Sequence, residues 1–554
     1  MEKTLVMYEI SQKQHYIFRS NRLRENIGAS MIIRLLTEQP YELLKRSEWG
    51  FDVPAEEFSI SGGGNGVYVF DTDEKATAFA KALSLGVLKN LPGIELFLVK
   101  QTMDWNKEKL FSLKDEQGRM VEQGVLDQMR SRLAEKKNQR RYAVRQVSWG
   151  IHRQCPDSGL PANLMDPTTE TFRARELVVK AEYGRDARDE EYVRRFLSGL
   201  AVTAANGKPF QFLDQDHLER SLGEGKSAKN YVAVVHIDGN AMGVKVGAFL
   251  RQNFRSNDEY VKEYDKFTRK IDQAYTNAFR SMIEHVMRDY DNWSKRIYGE
   301  SEDLCLLYAH IVPLRPIVAS GDDICFLSFG QLGIELARVF IQYLQKSSLP
   351  VGQETFPFEA CAGVAIVRRK FPFWLAYELS ERLCSQAKKR LKSESDYWKN
   401  KTGQEHVDMS LIDWELVKSG DLDLDLSTRR ENMCRNQDGT WLLNRPYYLF
   451  RQGWKHSHPS NYMNAFLPAL ETVHRASEES DGQGTLPAYP RSKWKELLGV
   501  YRKGRVATEQ WAIQNRFDIG QKLFMERETH ADLVAYFYDA IEIMDFLIPL
   551  PEVK

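Results

Sequence analysis

The sequence feature that most restricts the fold is a succession of elements that occurs twice. Its first occurrence begins with "TLVMYEIS", which has the aliphatic and β-branched residues of a buried strand, and "RSNRLRENIGASMIIRLL", which has the apolar spacing of an amphipathic helix. A hairpin with a glycine-rich turn, "FSISGGGNGVYVF", comes next. A helix, "EKATAFAKALSLGVLKNL", and a strand, "IELFLVKQ", complete the unit. The predicted order is strand, helix, hairpin, helix, strand.

The same order returns from residue 230. The strand and turn "NYVAVVHIDGNAMG" precede a long helical stretch, the hairpin "RPIVASGDDICFLSF", the helix "GIELARVFIQYLQ" and the strand "FEACAGVAIV". The helix "FWLAYELSERLCSQAKKRLK" follows. We call the two occurrences the first copy and the second copy. They predict an α+β fold with two ferredoxin-like palm (nucleotidyl cyclase-like) domains, each an antiparallel sheet covered by helices.

A chain of 554 residues is too long for one hydrophobic core, so we expect several domains. A polar, charge-rich segment separates the two copies, and a mostly helical pattern follows the second. The predicted domains are a first, degenerate palm domain at 1–150, a linking domain at 151–228, a second, catalytic palm domain at 229–415 and a C-terminal helical domain at 416–554.

Composition and charge are those of an ordinary globular protein. The chain has 77 basic and 77 acidic residues and 42% hydrophobic residues, so its overall charge indicates no class of partner. Its six cysteines are widely spaced and form no CxxC pair, which argues against a disulfide framework and favours a reducing compartment. The start of the sequence lacks the pattern of a signal peptide, and no long apolar stretch is present, so we expect a cytoplasmic protein without a membrane segment.

One segment departs from this even charge. "RSRLAEKKNQRRYAVRQ", residues 130–146, concentrates seven lysine and arginine residues. Two interpretations are equally supported: a surface that binds a polyanion, and a solvated helix face.

The second hairpin places two adjacent carboxylates, Asp322 and Asp323, between apolar runs. A "GDD" tripeptide alone is often a surface turn, but here both flanks are apolar. Asp238 ends the first strand of the same copy, and neighbouring strands lie only about 4.8 Å apart, so we expect the three carboxylates to converge. Like charges in one site oppose burial unless a cation neutralises them. The cluster therefore predicts two Mg²⁺ or Mn²⁺ ions and nucleotidyl transfer.

Neighbouring residues fit this chemistry. Gly239 and Gly243 allow a triphosphate to approach backbone amides, and Ser320-Gly321 keeps the hairpin turn narrow beside a nucleotide. Lys388 and Lys389 flank the apolar stripe of their helix, so one of them can reach a phosphate.

Several motifs together resemble one family, the large palm-domain subunit of type III CRISPR effector complexes, which is a cyclic-oligoadenylate synthase. "ISQKQHYIF", "LRENIGAS" and "SGGGN" are similar to its first palm, and "HIDGNAMG", "SGDDI" and "AGVAIVRRKFP" to its second. The resemblance implies ATP as substrate and Asp238, Asp322 and Asp323 as catalytic metal ligands, with Ile237 as a further metal contact. The implied nucleotide contacts are Ser11, Gly63, Gly64, Asn65, Gly239, Asn240, Gly243, Ser320, Gly321 and Lys388.

The first copy lacks the metal motif. By register we place Ser11 at the position of Asp238, and Gly64-Asn65 at the position of Asp322-Asp323. This copy is expected to face the second and to hold another ATP through neutral contacts.

Three departures from the family matter. The usual Gly-Gly-Asp-Asp is Ser-Gly-Asp-Asp here, and only Cys155 remains in the linking segment, where relatives often carry zinc cysteines. None of the 11 histidines precedes an aspartate, so we expect no HD nuclease domain and no single-stranded DNA nuclease activity. The resemblance is to a Cmr-type subunit.

The resemblance also implies partners: other type III effector subunits, guide RNA and target RNA. Three alternatives stay open. The same site could adenylate another small molecule such as S-adenosylmethionine, the chain could be a stand-alone cyclic-dinucleotide synthase, or it could be a non-catalytic scaffold subunit.

Overall fold

The structure is a computed structural model of the 554-residue chain. It describes the chain from Met1 to Val553 except for residues 47–48, 63–64, 115–119, 140–149, 167–169, 187–191, 215–216, 219–229, 253, 404–407, 419–425, 427–429, 431–433, 452–461, 476–488, 518–522 and 527–531.

The first copy forms a four-stranded antiparallel sheet, which we call the N-terminal sheet. Its strands are β1 (Glu2–Ser11), β2 (Phe58–Gly62), β3 (Asn65–Phe70) and β4 (Glu95–Asp104), and their spatial order is β2-β3-β1-β4. The central strand β1 has almost no exposed side chain between Lys3 and Ser11, because two strands flank it and helices pack against it.

Helices follow these strands in the predicted order. They are α1 (Lys13–Phe18), α2 (Leu23–Glu38), α3 (Pro40–Leu44), α4 (Asp73–Asn90) and α5 (Val125–Gln139), with the short hairpin β5 (Leu113–Lys114) and β6 (Met120–Glu122) before α5. The apolar spacing predicted for this segment corresponds to Leu23, Ile27, Met31 and Leu35 of α2, of which three are buried while Met31 packs against the core.

The segment between the copies is built from short elements. They are β7 (Leu164–Asp166), β8 (Thr171–Arg173), α6 (Arg175–Asp186), a π-helical turn (Val193–Leu197) and β9 (Gln211–Phe212). Helix α6 packs so closely on α2 that a Cβ on Gly28 would overlap the Lys180 carbonyl. Cys155 lies in a small apolar cluster with Ala174 and Leu177, and no group of three or more potential metal ligands surrounds it among the described residues.

The second copy forms a larger sheet, the central sheet, with the order β12-β13-β10-β16-β17-β18. Its first four strands, β10 (Tyr231–Gly239), β12 (Leu314–Ser320), β13 (Asp323–Phe329) and β16 (Ala360–Arg368), repeat the order of the N-terminal sheet, since β12-β13-β10-β16 corresponds to β2-β3-β1-β4. Two further strands, β17 (Ser410–Leu416) and β18 (Tyr447–Leu449), extend the sheet beyond β16.

The helices and short strands of this region surround the sheet. They are α7 (Met242–Leu250), α8 (Asn257–Arg288), α9 (Tyr290–Tyr298), α10 (Glu302–Tyr308), β11 (Ile311–Val312), α11 (Gly333–Leu344), β14 (Ser348–Val351), β15 (Glu354–Pro357), α12 (Phe373–Ser393) and α13 (Ser395–Thr402). The long helix α8 carries a buried stripe of aromatic and aliphatic residues against the sheet and α11, as its amphipathic pattern indicates.

The remaining elements are α14 (Met463–Arg475), α15 (Arg491–Tyr501), α16 (Arg505–Gln514), β19 (Phe524–Glu526), β20 (Leu533–Ala535) and α17 (Tyr538–Ile543). The prediction of a helical tail omitted β18, which joins the central sheet from beyond residue 416. No helix among the residues described is both long and apolar enough to cross a lipid bilayer.

A stability prediction follows from the contact between β16 and α12. A Cβ at Gly363 would lie 2.5 Å from the Cys384 backbone nitrogen and would overlap the Ser380 carbonyl. We expect Gly363→Val to destabilise the protein by about 2 kcal/mol or more, because backbone atoms of a packed helix cannot move aside as a side chain can. Urea or thermal unfolding followed by circular dichroism measures the effect.

The control for this variant is Gly499→Ala in α15, where no atom lies within 4 Å of the position that the added methyl group would take. This substitution should be neutral or stabilising, because alanine favours a helix over glycine. Equal stability of the Gly363 variant and the wild-type chain would contradict the close approach.

Candidate active site

The register of the central sheet brings the predicted carboxylates to one edge. Asp238 at the end of β10 lies directly opposite Asp323 at the start of β13, and Asp323 pairs with Ser320 across the hairpin. Gly321 has φ of 60°, which suits the first central residue of a tight hairpin turn, and Asp322 follows it. The Gly239 N–H donates to the Asp322 carbonyl over 3.2 Å, so the hairpin turn is attached to the end of β10.

Lys388 is the cation nearest to this edge that the structure identifies. Its Nζ donates to Asp238 Oδ2 over 2.5 Å and to the Gly239 carbonyl over 3.0 Å. Burial lowers the pKa of Lys388, but its hydrogen bond to Asp238 and the charge of Asp238 outweigh this, so the pKa is raised. Lys389, the other lysine considered from the sequence, is exposed. Helix α12 thus presents one lysine to the carboxylates.

The Asp323 carboxyl is held in an unfavourable environment. Its Oδ1 is buried and has no hydrogen-bond partner among the described residues, and His236 Nδ1 lies 3.6 Å away. Burial and the charges of Asp238 and Asp322 raise the pKa of Asp323 to about 7, and burial together with Asp238 also raises the pKa of Asp322. Burial lowers the pKa of His236, which favours its neutral form, and its ring packs edge-on against Tyr377. A cation bound at this edge would favour the charged form of both carboxyls.

The carboxylate oxygens of these residues are suitable ligands for a hard divalent cation. Carboxylate oxygens are the preferred ligands of Mg²⁺ and Mn²⁺, and a cation would satisfy the unpartnered Asp323 Oδ1. The described residues contain no preassembled group of three or more metal-ligating side chains, and the Lys388 ammonium bonds to Asp238 Oδ2. Ile237 lies opposite Ile324 within the ladder, with its side chain fully buried.

The sequence predicted that backbone amides after β10 would be available to a triphosphate, but two of these amides already have partners. The Gly239 and Asn240 amides already donate to the carbonyls of Asp322 and Glu359. The Asn240 side-chain amide donates to Met409 O, and buried Lys245 donates to Asn240 O over 2.6 Å. The open position is the first turn of α7, where no side chain caps the helix and nothing lies within 4 Å of the Cβ position of Gly243. Helix N-termini of this kind suit phosphate.

The register corrects the assignment of Ser11. In the N-terminal sheet Glu9, rather than Ser11, lies opposite Asn65, and Asn65 starts its strand as Asp323 does. The backbone gives the same alignment, because the left-handed residue before the helix is Gln12 in the first copy and Ala241 in the second. Ser11 therefore corresponds to Asn240. The error arose because sequence alignment of the two strands could not detect a shift of two residues, which preserves the alternation of faces.

The corrected alignment reveals a second carboxylate and lysine pair. Lys137 of α5 donates to Glu9 over 2.7 Å, as Lys388 of α12 donates to Asp238. The predicted contacts Gly63 and Gly64 lie outside the described residues, and only the backbone of Asn65 is described. Within the basic segment, Arg140, Arg141 and Arg145 also lie outside, whereas the other four residues contact their own chain.

The two copies meet at this edge. Phe18 of α1 stacks on Tyr377 of α12 with 3.6 Å between ring centroids, and Tyr377 in turn contacts His236 behind Asp323. Burial lowers the pKa of Lys13, while the carboxylates of Glu9 and Asp323 act to raise it. Lys13 therefore interacts electrostatically with a carboxylate of each copy. Sequence reasoning missed Glu9, Lys13 and Tyr377, because their role depends on how the two sheets face each other.

Comparisons with known proteins give weak similarities. No protein-family model and no curated protein matches the sequence. Among solved structures the chain is similar to a Csm1–Csm4 cassette in complex with cA4, with a TM-score of 0.48, 12% identity, and coverage of 98% of this chain and 69% of that chain. It is also similar to Csm1 in T. onnurineus, with a TM-score of 0.49, 13% identity, and coverage of 99% and 70%. These values are too low to assign a function or to distinguish a Csm-type from a Cmr-type chain.

The Lys388 contact generates a metal-binding prediction. We expect Lys388→Met to bind Mn²⁺ about tenfold more tightly than the wild-type chain, because the ammonium no longer competes for Asp238. Titration of Mn²⁺ followed by electron paramagnetic resonance measures the affinity. Lys389→Met removes the same charge from an exposed position and should leave the affinity near the wild-type value. Equal affinities of all three proteins would show that Lys388 does not compete with the ion.

Proposed function

We propose that the chain is a metal-dependent nucleotidyltransferase that makes a nucleotide second messenger, cyclic oligoadenylate, from ATP. The observation that carries this proposal is the convergence of Asp238, Asp322 and Asp323 at one edge of a duplicated sheet. The fold requires no carboxylates at that turn, because the corresponding turn of the first copy has Gly64 and Asn65 instead. Two palm-type domains of ferredoxin-like topology, one catalytic and one degenerate, are the architecture we infer.

In the proposed reaction the 3′-hydroxyl of one ATP loses its proton to solvent water and its oxygen forms a bond to the α-phosphorus of another ATP. The bond from that phosphorus to the leaving pyrophosphate breaks. Mg²⁺ or Mn²⁺ bound by the three aspartates would lower the pKa of the attacking hydroxyl and neutralise the phosphates. The uncapped first turn of α7 offers amides to the triphosphate, and Lys388 is close enough to the same edge to donate to a phosphate oxygen.

The first copy would hold the second nucleotide. A polar group lies at the equivalent end of the N-terminal sheet and consists of Glu9, Lys13 and Lys137. The charge of Asp323 in the second copy acts to raise the pKa of Lys13. The ammonium groups of Lys13 and Lys137 would attract a triphosphate, and the Glu9 carboxylate would accept a hydrogen bond from the nucleotide. An active site shared between the copies requires that their packing be maintained.

We further propose that this activity serves a type III CRISPR antiviral complex, in which other effector subunits, guide RNA and target RNA are the partners. The motifs "HIDGNAMG" and "SGDDI" in their structural positions support this assignment. The experiment is to incubate the purified chain, alone and with its guide complex and target RNA, with labelled ATP and Mn²⁺, with and without S-adenosylmethionine. Mass spectrometry identifies the products.

Each outcome of that experiment has a meaning. Cyclic oligoadenylate formed only with guide complex and target RNA supports the proposal. Product from the isolated chain would favour a stand-alone synthase, an adenylated S-adenosylmethionine would identify a different acceptor, and no product under any condition would favour a scaffold.

Neutralising the turn carboxylates should abolish product formation. We expect Asp322→Asn with Asp323→Asn to reduce the rate at least about a hundredfold, because the site loses two anionic ligands without a change in shape. The matched control, Glu302→Gln with Asp303→Asn, neutralises two adjacent exposed carboxylates on α10 and should retain wild-type turnover. Wild-type turnover by the Asp322 and Asp323 double variant would refute the site.

The contact between the copies supplies an independent test. Phe18→Ala should lower product formation at least about tenfold, because it removes the ring stacked on Tyr377 and loosens the packing of α1 on α12. Mn²⁺ affinity should stay unchanged, since Asp238, Asp322 and Asp323 all belong to the second copy. Phe18→Leu keeps most of the buried volume and should retain most of the activity. Loss of Mn²⁺ binding in Phe18→Ala would instead mean that the second copy had been disrupted.

A further inference from the structure

Strand β4 is an edge strand, because no other strand pairs with its outer side in the part of the chain that the structure describes. Among the described residues it pairs only with β1. The Trp105 N–H donates to the Met1 carbonyl, which continues this ladder and shows that the odd-numbered residues of β4 bond to β1. The backbone groups of Leu96, Leu98 and Lys100 therefore point away from the sheet. The Leu98 carbonyl accepts from Lys136 Nζ over 2.8 Å, which confirms its outward direction.

The equivalent edge of the second copy is covered. Strand β16 corresponds to β4, and β17 pairs with it in parallel from Cys361 opposite Leu411 to Ile366 opposite Leu416. The outward groups of β16 are the even-numbered ones, since Ile366 O accepts from Val417 N and Ala360 N donates to Ser410 Oγ. The same chain therefore shows which kind of element binds at this position of the fold: a parallel strand added beyond the fourth strand.

The surface beside β4 has the character of a binding groove. A cleft of about 990 Å³ runs along Ile94–Leu98 and between α4, α5 and α6. All residues from Glu95 to Leu98 are half-exposed, and Leu88 on the cleft wall is 75% exposed. Lys136 and Arg175 line the rim of the same cleft, each with one donor engaged by a backbone carbonyl and others available. A long apolar edge strand that is left open is an established site for adding another strand.

We infer that the outer edge of β4 binds an extended segment of a partner protein, which adds to the N-terminal sheet as a fifth strand and carries alternating apolar and acidic side chains. The apolar side chains would cover Leu88 and the half-exposed residues of β4, and the acidic ones would face Lys136 and Arg175. The covering strand of the second copy, "SLIDWEL", has this composition, with Asp413 and Glu415 bound by Arg430.

A nucleic acid fits this groove less well. Phe97 and His15 are the two residues with aromatic rings among those lining the described cleft, so the stacking faces that single-stranded nucleic acids use are scarce. A row of outward amides and carbonyls at strand spacing matches a peptide backbone instead. The inference concerns a surface of the first copy and holds whether or not the proposed ATP chemistry is correct.

The test uses a labelled peptide with the sequence of residues 408–418, "DMSLIDWELVK", added to the full chain without ATP. We expect saturable binding, with a Kd of roughly 10–100 µM by fluorescence anisotropy. Hydrogen exchange should slow at the amides of Leu96, Leu98 and Lys100, while Phe97 and Val99, already bonded to β1, should not change. A scrambled peptide of the same composition should bind at least about tenfold more weakly.

Two variants locate the site. Leu98→Pro removes an outward N–H without touching the ladder to β1, and should abolish binding. Lys136→Glu reverses a rim charge and should weaken binding at least about fivefold. Its control, Lys270→Glu, reverses an exposed charge on α8 and should have no effect. Unchanged binding by Leu98→Pro and Lys136→Glu, protection elsewhere than β4, or displacement of the peptide by a ten-nucleotide RNA would each overturn the inference.

Discussion

The antiparallel pairing of β10 with β13 is the constraint on which the candidate site depends. It sets Asp238 opposite Asp323 and attaches the hairpin turn to Gly239. Because a ladder cannot slip by one residue without turning its buried face outward, the two carboxylates cannot separate while the sheet is intact. Burial of this edge, together with the charge of Asp238, raises the pKa values of Asp322 and Asp323, and Lys388 donates a hydrogen bond to Asp238. Such a cluster is relieved either by protonation of a carboxyl or by a bound cation.

Because the fold is duplicated, each feature of the second copy can be compared with the corresponding feature of the first. The two sheets share strand order, a left-handed residue before the following helix, and a lysine from a later helix that contacts a carboxylate at the end of the first strand. They differ in the turn, where the first copy lacks the two aspartates, and in the outer edge, where the described part of the first copy lacks the covering strand. The difference in the turn concerns the proposed catalysis, and the difference at the outer edge concerns the proposed binding of a partner protein.

The order of strands and helices was predictable because each element has its own local pattern. Buried strands such as β1 and β10 are runs of aliphatic residues, and α2, α11 and α12 show apolar spacing over several turns. Asp238, Asp322 and Asp323 could be grouped for the same reason, since a hairpin and a preceding strand of one sheet are neighbours. The strand β18 was missed because three residues carry too little pattern.

The sequence by itself determined the repeated order of elements and the presence of three carboxylates at the ends of adjacent strands, because periodicity and turn composition are local properties. The tertiary structure alone decided that Glu9, rather than Ser11, is the counterpart of Asp238, and that Lys388, rather than Lys389, reaches it. It also placed Phe18 and Lys13 beside the second copy and, among the described residues, left β4 open. Register between strands, the facing of two sheets and the covering of an edge arise from contacts between residues far apart in the chain, and no local pattern contains them.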